Sequence, residues 1–242
     1  MTKDILLKHR EVWKQKKILR EIYEDWYRMI ISDLSEVEGP TVELGAGGGN
    51  FKEYYPKAIS ADIEKRDWLD MSFDAHEMPF EDGSIANIVM IDVLHHLADP
   101  LAFLNEASRV LASGGRLLML EPYPSPFSRI IYSLFHPEPF IYDVDYFSMN
   151  ARREKDPWDS NQAVPYLIFH KLADKFEERF GNRLRIRKRE LLSMLAYPLS
   201  GGFENKPLIP ESVIRSIMKF ENSMSLLRRF MAFRTYIVLE RQ

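Results

Sequence analysis

The most constraining feature of this chain is the glycine run at Gly45-Ala46-Gly47-Gly48-Gly49, which directly follows the short apolar segment Thr41–Leu44. Glycine loses more backbone freedom on folding than any other residue, so four glycines in five positions need a structural reason. Two reasons are available: a backbone conformation that side chains disfavour, and a ligand that approaches the main chain closely.

The segment that contains this run alternates between apolar strands and helical patterns, which is typical of a parallel, doubly wound α/β sheet. A helix is expected to begin at Asp99-Pro100, since Asp is a favoured N-cap and Pro suits the first helical turn. We expect it to end at Gly114-Gly115. The predicted strands are Thr41–Leu44, Ala58–Asp62, Ala86–Asp92 and residues 116–121.

The flanking regions have a different character. Helical spacing predicts a helix over residues 4–34, whose Tyr23, Trp26 and Tyr27 either pack on the domain, the interpretation we favour, or close over a ligand. Residues 121–147 hold eight of the 30 aromatic residues and several prolines, which indicates a lid or an acceptor pocket, or else a small helical subdomain. Farther on, the sequence predicts a helix over 165–180, a strand with arginines on one solvated face, a helix over 211–230 and a last strand, "RTYIVLE".

The glycine loop and the acid Asp62 together suggest a ligand that contains adenosine. Ligands of such sheets bind beyond the C-terminal strand ends, and an acid at the end of the second strand accepts hydrogen bonds from ribose hydroxyls. The dinucleotide fingerprint fails because Asn50 stands where its last glycine belongs. Glu43 precedes the loop, where a carboxylate would repel a pyrophosphate and attract a cationic ammonium group.

The series "VELGAGGGNF", Asp62, "DAHEMPF", "DVLHHL" and "RVLASGG" resembles the class I S-adenosyl-L-methionine-dependent methyltransferases of the type 11 group over about residues 41–122. The resemblance implies a doubly wound, mainly parallel seven-stranded sheet with helices on both faces, the Rossmann-like methyltransferase fold, with a helical or irregular insertion after the fifth strand. It also implies S-adenosyl-L-methionine as the cofactor. We expect residues 1–242 to form a single domain with four parts: an N-terminal helical cap at 1–38, a cofactor-binding core at 41–122, the insertion at 123–165 and the C-terminal part of the sheet at 166–242.

The resemblance also assigns cofactor contacts by position. Those for the methionine portion are Glu43, Gly45, Ala46 and Gly47. Asp62 would hold the ribose hydroxyls with Ile63 beside the adenine, and Asp74 and Ala75 would read the adenine edge. Asp92 and Val93 would face the transferring methyl group. Taken singly, Asp74 and Asp92 would be better explained as turn or cap residues, whereas together with the other motifs in order they are better explained as cofactor contacts.

The implied reaction is methyl transfer from a sulfonium to a small-molecule or glycan acceptor, through oxygen or nitrogen. Such an acceptor can need a base to take its proton, and the candidates are His95, His96 and His136. These histidines and neighbouring glutamates show no recognisable metal-ligand spacing, so no metal is predicted.

The amino-acid composition limits which partners and which cellular location we expect. The formal net charge of −3 gives no support for nucleic acid, the absence of cysteine fits a reducing compartment, and charges interrupt every apolar stretch, so we expect a cytoplasmic protein without a membrane span. The alternatives are an NAD(P)-dependent oxidoreductase and a catalytically silent binding protein on the same fold. Docking of "SRIIYSLFHPEPF" on a membrane surface is a further possibility, which Pro137 and Pro139 disfavour.

Overall fold

The computed structural model describes residues 4–135, 139–148 and 160–242. A seven-stranded sheet crosses this part of the chain in the order β3-β2-β1-β4-β5-β7-β6. The first five strands are parallel, and β7 runs antiparallel to both β5 and β6. The strands are β1 Thr41–Leu44, β2 Ile59–Asp62, β3 Met71–Ser72, β4 Ile85–Ile91, β5 Leu111–Pro122, β6 Leu184–Leu192 and β7 Arg234–Arg241. This confirms the expected mainly parallel, doubly wound sheet.

Helices cover both faces of the sheet and form two hydrophobic clusters with it. Successive residues of a strand point to opposite faces, so in β4 Ile88 packs in one cluster and Val89 in the other. No helix in the described ranges combines the length and the apolarity that crossing a bilayer requires. The helices are α1 Ile5–Gln15, α2 Lys17–Ser32, α3 Pro100–Val110, α4 Pro126–Phe135, α5 Val164–Tyr166, α6 Ala173–Phe180, α7 Ala196–Ser200, α8 Ile214–Ser223 and α9 Arg228–Met231.

The helix predicted to end at Gly114-Gly115 ends at Val110 instead, and both glycines lie within β5. A side chain at Gly115 would place its Cβ 2.8 Å from the carbonyl oxygen of Ala112 and 2.9 Å from that of Ala86. Gly115 therefore permits a close approach of β5 to β4, and neither glycine caps the helix. The Asp99 N-cap is confirmed, since its carboxylate accepts from the N–H groups of Leu101 and Ala102.

The N-terminal helix predicted over residues 4–34 is broken at Lys16, whose backbone leaves the helical region (φ −99°, ψ 87°). The break is stabilised by long-range contacts. The Arg20 guanidinium donates to the carbonyl oxygen of Trp13, and the Lys16 ammonium donates to that of Asn205. Periodicity along one segment could not reveal partners so far away in the chain.

The three aromatic residues of α2 pack in the interior, as the favoured interpretation expects. Tyr23, Trp26 and Tyr27 are 5%, 5% and 2% exposed, and their rings contact one another and those of Trp13 and Tyr197. The helix α2 is thus anchored by an aromatic cluster on one face of the sheet.

The C-terminal elements follow the predicted pattern with interruptions. The helix expected over residues 165–180 contains a π-helical turn, Leu167–Lys171, between α5 and α6. The helix expected over 211–230 is divided at Met224, which separates α8 from a short turn and α9. Of the insertion, α4 and a turn at Tyr146–Ser148 lie in the described part, whereas residues 136–138 and 149–159 lie outside it.

The predicted arginine face of β6 is interrupted by a β-bulge between Ile186 and Lys188. Ile186 pairs with Leu239, and beyond the bulge Arg189 pairs with Ile237. Because Leu239 and Ile237 are two residues apart, Ile186 and Arg189 share one face of the sheet. Arg185 lies on the other face, so the prediction of a single arginine face is wrong from Arg189 onward.

A buried glutamate fixes the start of α7. Glu221 on α8 is 7% exposed, and its Oε2 atom accepts from the backbone N–H groups of Met194, Leu195 and Ala196 at 3.2, 2.6 and 2.9 Å. These N–H groups have no helical partner, so the carboxylate satisfies the end of the helix and joins α8 to α7.

Replacing this carboxylate should destabilise the fold. We expect Glu221→Ala to lower the free energy of unfolding by about 3 kcal/mol, because three buried donors lose a charged acceptor. Urea denaturation followed by circular dichroism measures the change. Glu178→Ala, at an exposed position of α6, is the control and should stay within about 0.5 kcal/mol of the unmodified protein. Equal stability of the two variants would contradict the capping role.

Candidate functional site

The glycine loop lies at the C-terminal end of β1, at the edge where the parallel strands end together. Gly45 and Gly47 have left-handed backbones, with φ of 64° and 49°. A Cβ at Gly45 would overlap the Val93 side chain, which follows β4. The loop is therefore held against the neighbouring strand end by a contact that only glycine allows.

Glu43 in β1 is buried beneath this loop and 5% exposed. Its Oε2 atom has no hydrogen-bond partner within the described part of the chain. Burial, followed by the nearby Asp62 carboxylate, raises the pKa of Glu43 to about 8. A buried carboxylate without a partner is costly, and a cationic group in the crevice would satisfy it.

Asp62 ends β2 and connects the loop to the next strand. Its Oδ2 atom accepts from the Gly47 N–H at 2.9 Å, and its Oδ1 atom accepts from the Glu64 N–H at 3.0 Å. Each carboxylate oxygen can accept more than one hydrogen bond, so these contacts orient Asp62 and leave capacity for hydroxyls. Ile63 follows with 52% of its surface exposed, an apolar side chain beside the crevice.

The N-terminal helix α1 lies over the loop from the other side. The Leu6 side chain comes within 3.6 Å of the position that a Cβ would take at Gly47, and the Trp68 indole donates to the Gly47 carbonyl oxygen at 2.9 Å. Arg10 of α1 stacks over the Trp68 ring, 4.7 Å from its centroid. These contacts restrict the loop on the side opposite Val93.

Asp74 and Ala75 follow β3 at the same edge of the sheet. The Asp74 Oδ1 atom accepts from the His76 N–H at 2.9 Å and lies 2.6 Å from the His76 ring, so the residue forms the turn that the sequence allowed as an alternative. A role of Asp74 and Ala75 toward the adenine stays a prediction.

Asp92 directly follows β4 and has a left-handed backbone (φ 58°), which is uncommon for a residue other than glycine. Its carboxylate forms an ion pair with Arg234, the first residue of β7, which is 4% exposed. Burial raises the pKa of Asp92, and the Arg234 guanidinium opposes that shift. Arg234 was not among the site residues predicted from the sequence. The feature that could have identified it is a charged residue at the start of the largely apolar strand "RTYIVLE".

The Arg234 guanidinium also lies against aromatic rings. It is 4.5 Å from the centroid of the Tyr197 ring and 5.7 Å from that of Trp26. Its Nε atom has no hydrogen-bond partner among the described residues. A buried cation with an unused donor, beside the strand end expected to face the methyl group, is suited to hold an acceptor.

A second buried carboxylate, Glu121 near the end of β5, fixes the chain that follows Asp92. Its Oε1 atom accepts from the Val93 and Leu94 N–H groups at 2.9 and 2.8 Å, and its Oε2 atom lies 2.6 Å from the His95 Nδ1 atom. Burial raises the pKa of Glu121 to about 7, and hydrogen bonds from these N–H groups oppose that shift. The His95 ring is thus buried and bound to the Glu121 carboxyl group.

The structure brings most of the predicted residues to one edge of the sheet. The ends of β1, β2, β3 and β4 carry the ten predicted cofactor contacts, and His95 and His96 follow β4. The His96 ring lies 4.2 Å from the His95 ring and is partly exposed. His136 lies outside the described residues.

Three of these side chains also meet the distance requirement for a metal. The ligand atoms of Asp92, His95 and Glu121 lie within 4.8 Å of one another. However, Glu121 already accepts two backbone N–H groups, and Arg234 supplies a cation to Asp92. The contacts within the described residues therefore account for this cluster as a hydrogen-bonded network.

Comparison with known proteins assigns the family. A family model described as a methyltransferase domain, of type 11, matches residues 42–119. Residues 42–119 are a type 11 methyltransferase domain. Solved structures of S-adenosylmethionine-dependent methyltransferases share its fold.

Similar proteins differ widely in what they methylate. The demethylmenaquinone methyltransferase of Staphylococcus haemolyticus is 29% identical over 116 residues, 47% of this chain and 48% of the relative. The 27-O-demethylrifamycin SV methyltransferase of Amycolatopsis mediterranei is 34% identical over 73 residues, 28% of this chain and 26% of the relative. The matches thus span half or less of these curated relatives.

A solved structure matches the fold over nearly the whole chain. It is an S-adenosylmethionine-dependent methyltransferase of Thermotoga maritima, described as a possible histamine N-methyltransferase, with 17% identity and a TM-score of 0.55. The match covers 97% of this chain and 99% of that structure. At this identity the match establishes a shared fold.

The residues on the domain's crevice fit the cofactor. The Glu43 Oε2 atom lacks a partner and lies below the loop, where the ammonium of the methionine portion would supply one. The main chain at Gly47 is open on the crevice side apart from the Leu6 contact. Asp62 offers further acceptor capacity for ribose hydroxyls, and the exposed Ile63 offers an apolar surface for a base.

Glu43 should make stability depend on pH in a defined direction. Its raised pKa means that the folded protein holds a proton between about pH 4.5 and 8 that the unfolded chain releases. The free energy of unfolding should therefore fall as pH rises through this range, by at most about 1.4 kcal/mol per pH unit from this group, and level off above pH 8.

Glu43→Gln isolates this contribution, because the amide resembles the protonated acid. The difference in unfolding free energy between the unmodified protein and Glu43→Gln, measured by urea denaturation from pH 5 to 9, should favour the unmodified protein progressively less as pH rises. Glu178→Gln, at an exposed position, should give a pH-independent difference. A flat difference for Glu43→Gln would show that the carboxyl group titrates normally.

Proposed function

We propose that this protein is an S-adenosylmethionine-dependent methyltransferase that acts on a small-molecule or glycan acceptor at oxygen or nitrogen. The observation that carries the proposal is the buried, unpartnered Glu43 carboxylate beneath a glycine loop whose neighbour Asp62 is oriented toward the crevice. A cationic nucleoside would stabilise the ionised form of the buried Glu43 carboxyl group, whereas the pyrophosphate of a nicotinamide dinucleotide would not.

In this proposal the bound cofactor supplies an activated methyl group, and the protein supplies alignment. Glu43 binds the ammonium, Asp62 binds the ribose, and the Gly45–Val93 contact fixes the distance between the ends of β1 and β4. Alignment of two reactants can account for a large part of a displacement rate, because it replaces a bimolecular encounter.

The aromatic insertion supports a ring-containing acceptor of modest size. The Tyr132 ring contacts the rings of Phe140 and Phe233 at 5.4 Å each, and Phe140 stacks with Tyr142 at 6.2 Å. Phe233 directly precedes Arg234, so these rings adjoin the Asp92–Arg234 pair. Apolar rings around a few polar groups are typical of small-molecule sites.

His96 is the stronger candidate of the two adjacent histidines for proton transfer from the acceptor. His95 is 2% exposed and bound to Glu121, so we assign it a positioning role for the Asp92–Leu94 segment. His96 is partly exposed on the same turn. His136, outside the described residues, stays a third candidate from the sequence.

Ligand-induced stabilisation tests the cofactor assignment. S-adenosylhomocysteine at about 100 times its Kd should raise the free energy of unfolding by about 2.7 kcal/mol, a shift of several degrees in a thermal melt. Asp62→Ala should lose the shift, because the ribose contact is removed, and Asp174→Ala at an exposed site of α6 should retain it. Stabilisation by NADH in place of S-adenosylhomocysteine would refute the proposal and support an oxidoreductase.

A histidine series tests the proton-transfer role once an acceptor is found by screening metabolites and glycans with radiolabelled methyl donor. We expect His96→Asn to lower kcat by about 10²-fold and to remove the acid limb of the kcat–pH profile, with S-adenosylhomocysteine binding unchanged. His95→Asn should also weaken S-adenosylhomocysteine binding, since the Val93 segment loses support. An unaltered pH profile in His96→Asn, together with its loss in His136→Asn, would transfer the role to His136.

A further inference from the structure

A separate crevice, at the β6 side of the sheet, is lined by arginines. It has a volume of about 580 Å³ and is bounded by Arg189 of β6, Arg228 and Arg229 of α9, and the aromatic side chains of Tyr123, Tyr166 and His170. We call these six residues the arginine pocket. The chain as a whole has a formal net charge of −3, so three arginines around one cavity form a local excess of positive charge.

The β-bulge in β6 creates this pocket. Without the extra residue, Arg189 would share the face of Arg185; with it, Arg189 lies on the face of Ile186 and Ile237. There the Arg189 guanidinium donates to the carbonyl oxygen of Phe169, a contact that fixes its direction along the pocket wall. Bulges commonly redirect a side chain toward a functional site.

The positive charges in the pocket lack acidic partners. Within the described part of the chain, no carboxylate oxygen lies within 4.0 Å of the guanidinium nitrogens of Arg189, Arg228 or Arg229. The acid that also lines the crevice, Glu190, lies 4.0 Å from the Lys188 ammonium. Three arginines and one glutamate leave an excess of two positive charges.

The aromatic wall is kept neutral beside these charges. Burial, and then the charge of Arg189, lowers the pKa of His170 to about 4, so the ring is uncharged at neutral pH. Its Nε2 atom lies 3.0 Å from the Thr235 hydroxyl, and its ring is 5.0 Å from that of Tyr123. Burial also raises the pKa of Tyr123, which keeps its hydroxyl protonated as a possible donor.

The pocket lies at the same sheet edge as the methyl-transfer residues. Tyr123 directly follows β5, two residues after Glu121. Thr235, which contacts the pocket residue His170, pairs with both Glu121 of β5 and Leu191 of β6. The preceding residue, Arg234, is paired with Asp92. Successive strand residues point to opposite faces, so Arg234 and Thr235 lie on opposite faces at the start of β7. An acceptor that bridged Asp92 and the arginine pocket would therefore have to pass across the ends of β5 and β7.

We infer that the arginine pocket binds an oxyanion, a phosphate or carboxylate group, carried by the methyl acceptor. Guanidinium groups bind such groups through paired hydrogen bonds, and three of them around a cavity offer more donors than one oxyanion needs. The identification of the ligand as the acceptor rests on the proposed function, whereas binding of an oxyanion at these residues does not.

The pocket can be tested with inorganic pyrophosphate as the probe, by isothermal titration calorimetry at fixed ionic strength. We expect one site per chain and a loss of affinity of roughly tenfold or more in Arg189→Gln and in Arg229→Gln, because each removes a charged donor. Arg185→Gln removes the same charge from the opposite face of β6 and should stay within about twofold of the unmodified protein. Equal weakening in all three variants, or no binding by the unmodified protein, would overturn the inference.

Two further arms separate this inference from the proposed function and distinguish the sources of the oxyanion. S-adenosylhomocysteine should bind Arg229→Gln as tightly as the unmodified protein, and pyrophosphate should not compete with it; competition would place the anion in the cofactor crevice and overturn the inference. Cosedimentation with phosphatidylglycerol vesicles that is lost in Arg229→Gln would identify a lipid headgroup as the source. Pyrophosphate binding without vesicle binding would identify a soluble acceptor.

Discussion

The site depends on one buried carboxylate that joins two parallel strands. Glu121 of β5 receives the N–H groups of Val93 and Leu94 and pairs with the His95 ring, so it determines where the chain goes after β4. Asp92 is thereby held in a left-handed conformation that costs about 1 kcal/mol for a residue other than glycine. Hydrogen bonds to a buried charge outweigh that cost. The position of Val93 in turn explains why Gly45 must be glycine, since a side chain there would overlap it. One glutamate thus sets the distance between the cofactor loop and the end of β4.

Much of this arrangement was accessible from the sequence because its signals are local. The glycine loop, the acid ending β2 and the apolar run of β4 each lie in one short segment, and the order of strands and helices follows from periodicity. The missed features depend on partners far apart in the chain. Arg234 and Asp92 are 142 residues apart, and the Lys16 break is stabilised by residues near 205. The bulge moves the Arg189 side chain to the other face of the sheet. It depends on pairing with β7, which the alternation of charged and apolar residues along β6 cannot reveal. The glycines at 114 and 115 resemble a helix end in sequence, and only the neighbouring backbone of β4 shows their role.

The C-terminal edge of the parallel strands carries acidic groups at β1 and basic groups at β6 and β7. At β1 the Glu43 carboxyl group is buried, its Oε2 atom has no partner among the described residues, and burial raises its pKa to about 8. A cation bound in the crevice would stabilise the ionised form of this group. At β7 and β6 the buried or clustered groups are guanidinium groups. Asp92 and Arg234, which lie between these ends, neutralise each other. A carboxylate near a guanidinium loses its attraction for a second cation, so separating the two ends preserves the selectivity of each.

This separation bears on how one edge of the sheet can vary while the glycine loop stays in place. The strands β1 to β4 carry the cofactor residues, and their spacing is fixed by parallel pairing and by the Gly45–Val93 contact. The antiparallel strands β6 and β7 are tied to the cofactor half through the pairing of β5 with β7. A bulge in β6 can therefore redirect a side chain such as Arg189 without moving the cofactor loop, because the bulged strand lies at the edge of the sheet. Changes confined to this edge can therefore leave the Gly45–Val93 contact and the pairing of β1 with β4 intact.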